Sequence, residues 1–206
     1  MCCFDLYHLI PLTFRLYPFT SKKMINREEL IKQISNTIGK TKVIELSRIL
    51  KEQHFALRDL IDLTFDADKN IAFRAAWVLE NIFLQHPTRY EADLGYLVSR
   101  IKEVKHVSCQ RHYAKIMMHV TAKNAPPIIK QRLLELNLEP VVEQCFDWLI
   151  DPGLLVAVKV FASEALFNLR DRYPWIKEEL ADQIRFLMRN GTMAIQTRGR
   201  KLLAML

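Results

Sequence analysis

Glycine is scarce in this chain, with five in 206 residues. Gly weakens helix interiors by roughly 0.5–1 kcal/mol relative to Ala, so scarcity suits long helices joined by tight connections. There is no G-x-x-x-x-G-K-[ST] and no G-x-G-x-x-G, so no Gly-rich loop is at hand to cradle a phosphate. H-E-x-x-H and G-x-S-x-G are missing as well. No residue is therefore assigned a catalytic role, and neither a metal nor a cofactor is expected. Cysteine is limited to Cys2, Cys3, Cys109 and Cys145, without a C-x-x-C pair. That points to a reduced, cytoplasmic setting rather than a disulfide framework. Cys109 and Cys145 fall inside helical patterns, where a free Cys acts as a small buried hydrophobe.

Long apolar runs are also wanting. The first twenty residues, MCCFDLYHLIPLTFRLYPFT, are apolar and aromatic but broken by Pro11 and Pro18. They are too short for a membrane span, and they lack a positive n-region and a small-residue cleavage site. No membrane partner is expected. Residues 1–23 read as an extension outside the domain, with Met24 as the native start. The alternative is a segment packed on the first helices. The domain is then 24–206.

Half of the residues are apolar, enough for a sizeable core. From Asn26 onward the apolar spacing is helical, with no convincing strand alternation. Asn26 with Glu29 matches a helix-start cap, and Gly39 a helix end. Thr41 and Asn70 read as caps of later helices, and Thr88 with Glu91 as a capping box. Pro87, the pair Pro126–Pro127, Asp151-Pro152-Gly153 and Pro174 punctuate the rest. The fold class is all-α.

One spacing recurs four times. An acidic or polar residue precedes a basic one by eight positions: Asp66 and Arg74, Glu103 and Arg111, Asp151 and Lys159, Asn190 and Arg198. Apolar stretches follow each: AAWVLENIF, HYAKIMMHV, VFASEALFNL and GRKLLAML. Successive basic positions are 37, 48 and 39 residues apart, the period of stacked helix pairs. The pairs fall at about 55–85, 88–123, 126–172 and 174–206, preceded by two further helices.

These residues resemble the HEAT-repeat group of the armadillo-like superfamily. The best copy is D-x-x-x-N-I-A-F-R-A-A-W-V-L at Asp66 to Leu79; the fourth departs most, with Asn190 for the acid and Gly199 within the helix. The resemblance implies a right-handed α-α superhelix of about four to five helix pairs. It also implies a structural ladder between repeats at Asp66, Arg74, Glu103, Asp151 and Lys159, and a concave face lined by the second helix of each pair.

Charge is unevenly distributed. Residues 98–133 carry a net +7, residues 134–184 a net −6, and residues 185–206 a net +5. The basic zones supply binding candidates at Lys105, Arg111, Lys115, Arg185, Arg189, Arg198, Arg200 and Lys201. Phosphate contacts need only cations at tolerant spacing, so a nucleic-acid partner is the alternative to a protein partner. A weaker likeness is to the alkylpurine DNA glycosylases built from HEAT-like repeats. By that likeness Asp147 or Asp151, near Trp148, would hold a cationic base in an aromatic, basic cleft. His106, Cys109 and His112 form an H-x-x-C-x-x-H run whose spacing drifts around a helix, which disfavours a metal site. The leading expectation is a non-catalytic scaffold or adaptor; its oligomeric state cannot be read from the sequence.

Overall fold

The computed structural model describes residues 24–206 apart from Ile38 and His54. The expectation for residues 1–23 lies outside the described residues. Within them every regular element is helical. The elements are α1 (Arg27–Ser35), α2 (Lys40–Glu52), α3 (Leu57–Leu63), α4 (Lys69–Gln85), α5 (Leu94–Ser99), α6 (Val107–Val120), α7 (Pro127–Glu135), α8 (Glu139–Ile150), α9 (Val156–Leu169), α10 (Ile176–Met188) and α11 (Met193–Leu203). Short 3-10 turns at Pro87–Asp93 and Ile101–Glu103 flank α5.

Helices pair in chain order at α3 with α4, α8 with α9, and α10 with α11, while α1 packs mainly on α4 and α5 lies against α3 and α8. The second helices form one continuous layer, α2 against α4, α4 against α6, α6 against α9, and α9 against α11. The first helices form the other, with α3 next to α1 and α5, and α5 next to α8. One apolar core runs between the layers from Leu30 to Leu202. Such an array is stabilised by each pair covering the next, because no single pair buries its own apolar face. The fold is an all-α solenoid. The long step of 48 residues in the repeat has a direct cause: α7 is an added helix, packed on the Pro87–Asp93 turn.

Local chemistry explains some helix ends. Glu29 N donates to Asn26 Oδ1 at 2.9 Å, as its spacing predicts. Pro127 occupies the first turn of α7, where no N–H is needed. Other ends differ from the sequence reading. Helix α1 stops at Ser35; Gly39 instead precedes α2, with φ +83°, the left-handed region that suits Gly. Thr41 lies inside α2. Asp68, not Asn70, caps α4 and accepts from Asn70 N at 2.8 Å. The Thr88–Glu91 capping box does not form, because Pro87 starts a 3-10 run. Gly199 is not a weak point. Its missing Cβ lets α11 approach α10, since a Cβ there would lie 2.5 Å from Met188 Sδ and 3.0 Å from Ile184 Cγ2.

Three arginines join neighbouring parts through backbone carbonyls. Arg74 Nη1 donates to Ser35 O at 2.6 Å, at the end of α1. Arg89 reaches Lys51 O and Gln53 O at the end of α2. Arg172 donates to Leu133 O and Leu136 O, both at 2.7 Å, at the end of α7. Helix C-termini leave carbonyls unsatisfied and carry partial negative charge, so a guanidinium there satisfies both.

Candidate interaction surfaces

A buried polar cluster with charged members sits in the seam between α4 and α6. Its members come from an apolar run, Glu80 on α4 and His112 with Lys115 on α6. Glu80 is 5% exposed at its side chain, and His112 1%. His112 Nδ1 and Lys115 Nζ each lie 2.6 Å from a Glu80 carboxylate oxygen, one on Oε2 and the other on Oε1. Burial pushes the Glu80 carboxyl up, but the hydrogen bonds from His112 and Lys115 outweigh it. The group ends below its ordinary value of 4.5. The His112 ring packs against Phe73 and Trp77, with centroids 5.5 and 6.3 Å away.

Farther along the same layer, Arg198 on α11 forms an ion pair with Glu164 on α9, without the alignment of a hydrogen bond. The first-helix layer has its own joints. Arg100, just after α5, donates to Asp62 of α3 at 2.8 Å and to Tyr96 Oη at 2.7 Å. It also reaches Glu103 at 2.6 Å and lies 4.4 Å from the centre of the Phe65 ring. Lys102 pairs with Glu143 of α8.

The ladder residues take other partners. Asp66 accepts from Asp68 N, and Asp151 from Gly153 N, each closing a local turn. Glu103 pairs with nearby Arg100, and Arg74 goes to a carbonyl. Lys159 is buried to 9% exposure, beside Arg198 and Ser163. Among the described residues none of the five forms an ion pair with another. The joints that do form include those of Glu80, Glu164, Glu143 and Asp62 with Arg100. A signal for two of them was present. Glu80 and Glu164 are the acids inside the apolar runs AAWVLENIF and VFASEALFNL, and an acid there needs a partner.

Of the eight cations singled out, Lys115 and Arg198 point into seams. Arg185 pairs with Asp182 at 2.7 Å on the outer face of α10. The Arg189 guanidinium lies 5.8 Å from the Phe186 ring centre. Lys105, Arg111, Arg200 and Lys201 have no ion-pair partner among the described residues. Helix α9 lies between α6 and α11, and its one cation is the buried Lys159.

The glycosylase-like and metal-like constellations are not assembled. Trp148 is 2% exposed in the core, whereas Asp147 and Asp151 are exposed. His112 faces Glu80, while Cys109 Sγ lies 3.8 Å from Thr64 O and 3.6 Å from His106 Nδ1. Cys109 and Cys145 are both free and buried, and burial pushes each thiol up to about 12. Among the described residues no helix is long and apolar enough to cross a membrane.

Stacked helix pairs, one continuous core and polar joints across seams define a helical-repeat solenoid. The family model for the HEAT repeat domain matches residues 30–206. The chain belongs to the HEAT repeat domain family. No curated protein and no solved structure matches it.

Proposed function

We propose that this solenoid is a non-catalytic scaffold or adaptor that binds a protein partner, in the cytoplasm. One observation supports the reading: two of the basic residues are engaged in seams between helices. Lys115 and Arg198 are held by Glu80 and Glu164, and α9 separates the remaining cations of α6 from those of α11. A polyanion follows its charge along a continuous row of cations, and its affinity scales with the phosphates neutralised. A protein partner uses shape and a few anchors instead.

The test is anisotropy of labelled duplex and single-stranded oligonucleotides at physiological salt. Binding should be no tighter than the non-specific range, about 10⁻⁴–10⁻⁶ M. Sub-micromolar binding would overturn the scaffold reading in favour of nucleic acid. In that case Arg111→Ala and Lys201→Ala should each lower the salt slope by roughly one unit. Release of alkylated bases, lost on Asp147→Ala or Asp151→Ala, would establish the glycosylase alternative.

A further inference from the structure

The outer face of α10 carries a charge pattern that is its own complement. Trp175 precedes the helix, and Glu178, Glu179, Asp182, Arg185, Phe186 and Arg189 follow at helical spacing. At 100° per residue these seven positions fall within about one third of the circumference. All seven are exposed, and the opposite side, Ile176, Leu180 and Ile184, is buried. The N-terminal half of this face is acidic and the C-terminal half basic. A large aromatic stands in each half: Trp175 is 55% exposed and Phe186 62%. Surface helices ordinarily present polar side chains there, and exposed aromatics grouped on one face mark contact surfaces. Trp175 is already held on one side, stacked on Phe146 at 5.5 Å and 22°. Its other face is left for a partner.

We propose that two copies of the chain associate through this face as a closed two-fold dimer, with their α10 helices antiparallel. A two-fold axis at Asp182 sets residue i opposite residue 364 − i. Glu179 then faces Arg185 of the second copy. Trp175 faces the second copy's Arg189, a guanidinium over an indole. Glu178 faces the second copy's Phe186. The two Asp182 carboxylates meet at the axis, where each is already paired with its own Arg185 at 2.7 Å. A two-fold contact requires a surface that complements itself, and this one does at Glu179 with Arg185 and at Trp175 with Arg189. A basic peptide would match only the acidic half, and an acidic one only the basic half. From Trp175 to Arg189 the face spans about 21 Å at 1.5 Å per residue. That length gives an interface at or below the ~1,200 Å² lower end of stable complexes, so a weak, concentration-dependent dimer follows.

Sedimentation equilibrium of the full chain, from about 1 to 200 μM, tests this. A monomer–dimer equilibrium with no larger species is expected. The chain with Glu178→Arg and Glu179→Arg presents a mainly basic face. The chain with Arg185→Glu and Arg189→Glu presents an acidic one. Neither should self-associate, and an equimolar mixture should form a heterodimer. Trp175→Ala with Phe186→Ala should weaken self-association at least tenfold. Wild-type chain that stays monomeric throughout overturns the proposal, whatever the variants do. So does a dimer that the charge reversals leave intact, or a series of species that grows without limit.

Discussion

Replacing Glu80 with Gln tests whether the buried pair holds α4 to α6. The carboxylate accepts two charge-assisted hydrogen bonds, each worth about 1.5–3 kcal/mol in general. Lys115 is 29% exposed at its side chain and can recover hydration; His112 is 1% exposed and cannot. Gln keeps the shape and can still accept from Lys115, but its amide can meet His112 Nδ1 only if the ring proton moves to the buried, unpartnered Nε2, and the acceptor's charge is lost. The net loss is about 2–4 kcal/mol. At about 2–4 °C per kcal/mol for a domain of this size, Tm should fall by roughly 4–16 °C. Calorimetry at pH 7, with rescans to verify reversibility, measures it. Asp171→Asn, which breaks an exposed pair with Lys177, is the control and should cost under about 1 kcal/mol. The double variant Glu80→Leu with His112→Phe should recover at least half of the loss, because a buried pair can be replaced by apolar groups at little cost. A Glu80→Gln variant that melts no lower than the control would refute the reasoning.

The same pair sets an acid limit. The folded-state Glu80 carboxyl lies below its ordinary 4.5, so its contribution is present above that pH and is lost as pH falls through the lower folded value. Wild-type Tm should therefore drop more steeply than that of Glu80→Gln below about pH 4.5, and the two curves should converge there. Trp148→Ala empties a fully packed site and should cost about 3–5 kcal/mol by urea melting. Gly199→Leu should cost about 1–3 kcal/mol, because a Met188 rotation alone does not clear Ile184; a rise in Tm would show that the close approach is dispensable. Arg100→Ala should lower Tm more than Arg132→Ala, since Arg100 joins Asp62, Tyr96 and Glu103, whereas among the described residues Arg132 pairs with Glu135 three residues on.

The architecture was legible because helix pairing leaves a period in sequence. The 37- and 39-residue steps marked ordinary pairs, and the 48-residue step marked the place where α7 is added. Boundaries were less legible, since caps compete locally. Asp68 outcompeted Asn70 by standing two residues before it, and Pro87 turned a capping box into a 3-10 run. The polar joints were hardest to read. Charges eight apart straddle a turn, where a carboxylate finds a nearby N–H first, as Asp66 and Asp151 do. Contact across a seam depends on which positions of two helices meet. The seam pairs that form sit about one repeat apart, Glu80 with Lys115 at 35 residues and Glu164 with Arg198 at 34, not at the eight-residue spacing that stood out in the sequence.

The arginine contacts to Ser35 O, Lys51 O, Leu133 O and Leu136 O place a one-sided constraint on sequence drift. Every residue type supplies a carbonyl, so substitution at positions 35, 51, 133 or 136 leaves the acceptor in place. The donor has no such freedom: a long side chain must span the gap, and at Arg89 and Arg172 its forked end serves two carbonyls at once. Mutations should thus accumulate readily at the exposed grasped positions, Ser35 and Lys51, and rarely at Arg74, Arg89 and Arg172; Leu133 and Leu136 are held separately by their packing on the core. A chain joined in this way can lose the likeness among its own repeats while keeping them stacked.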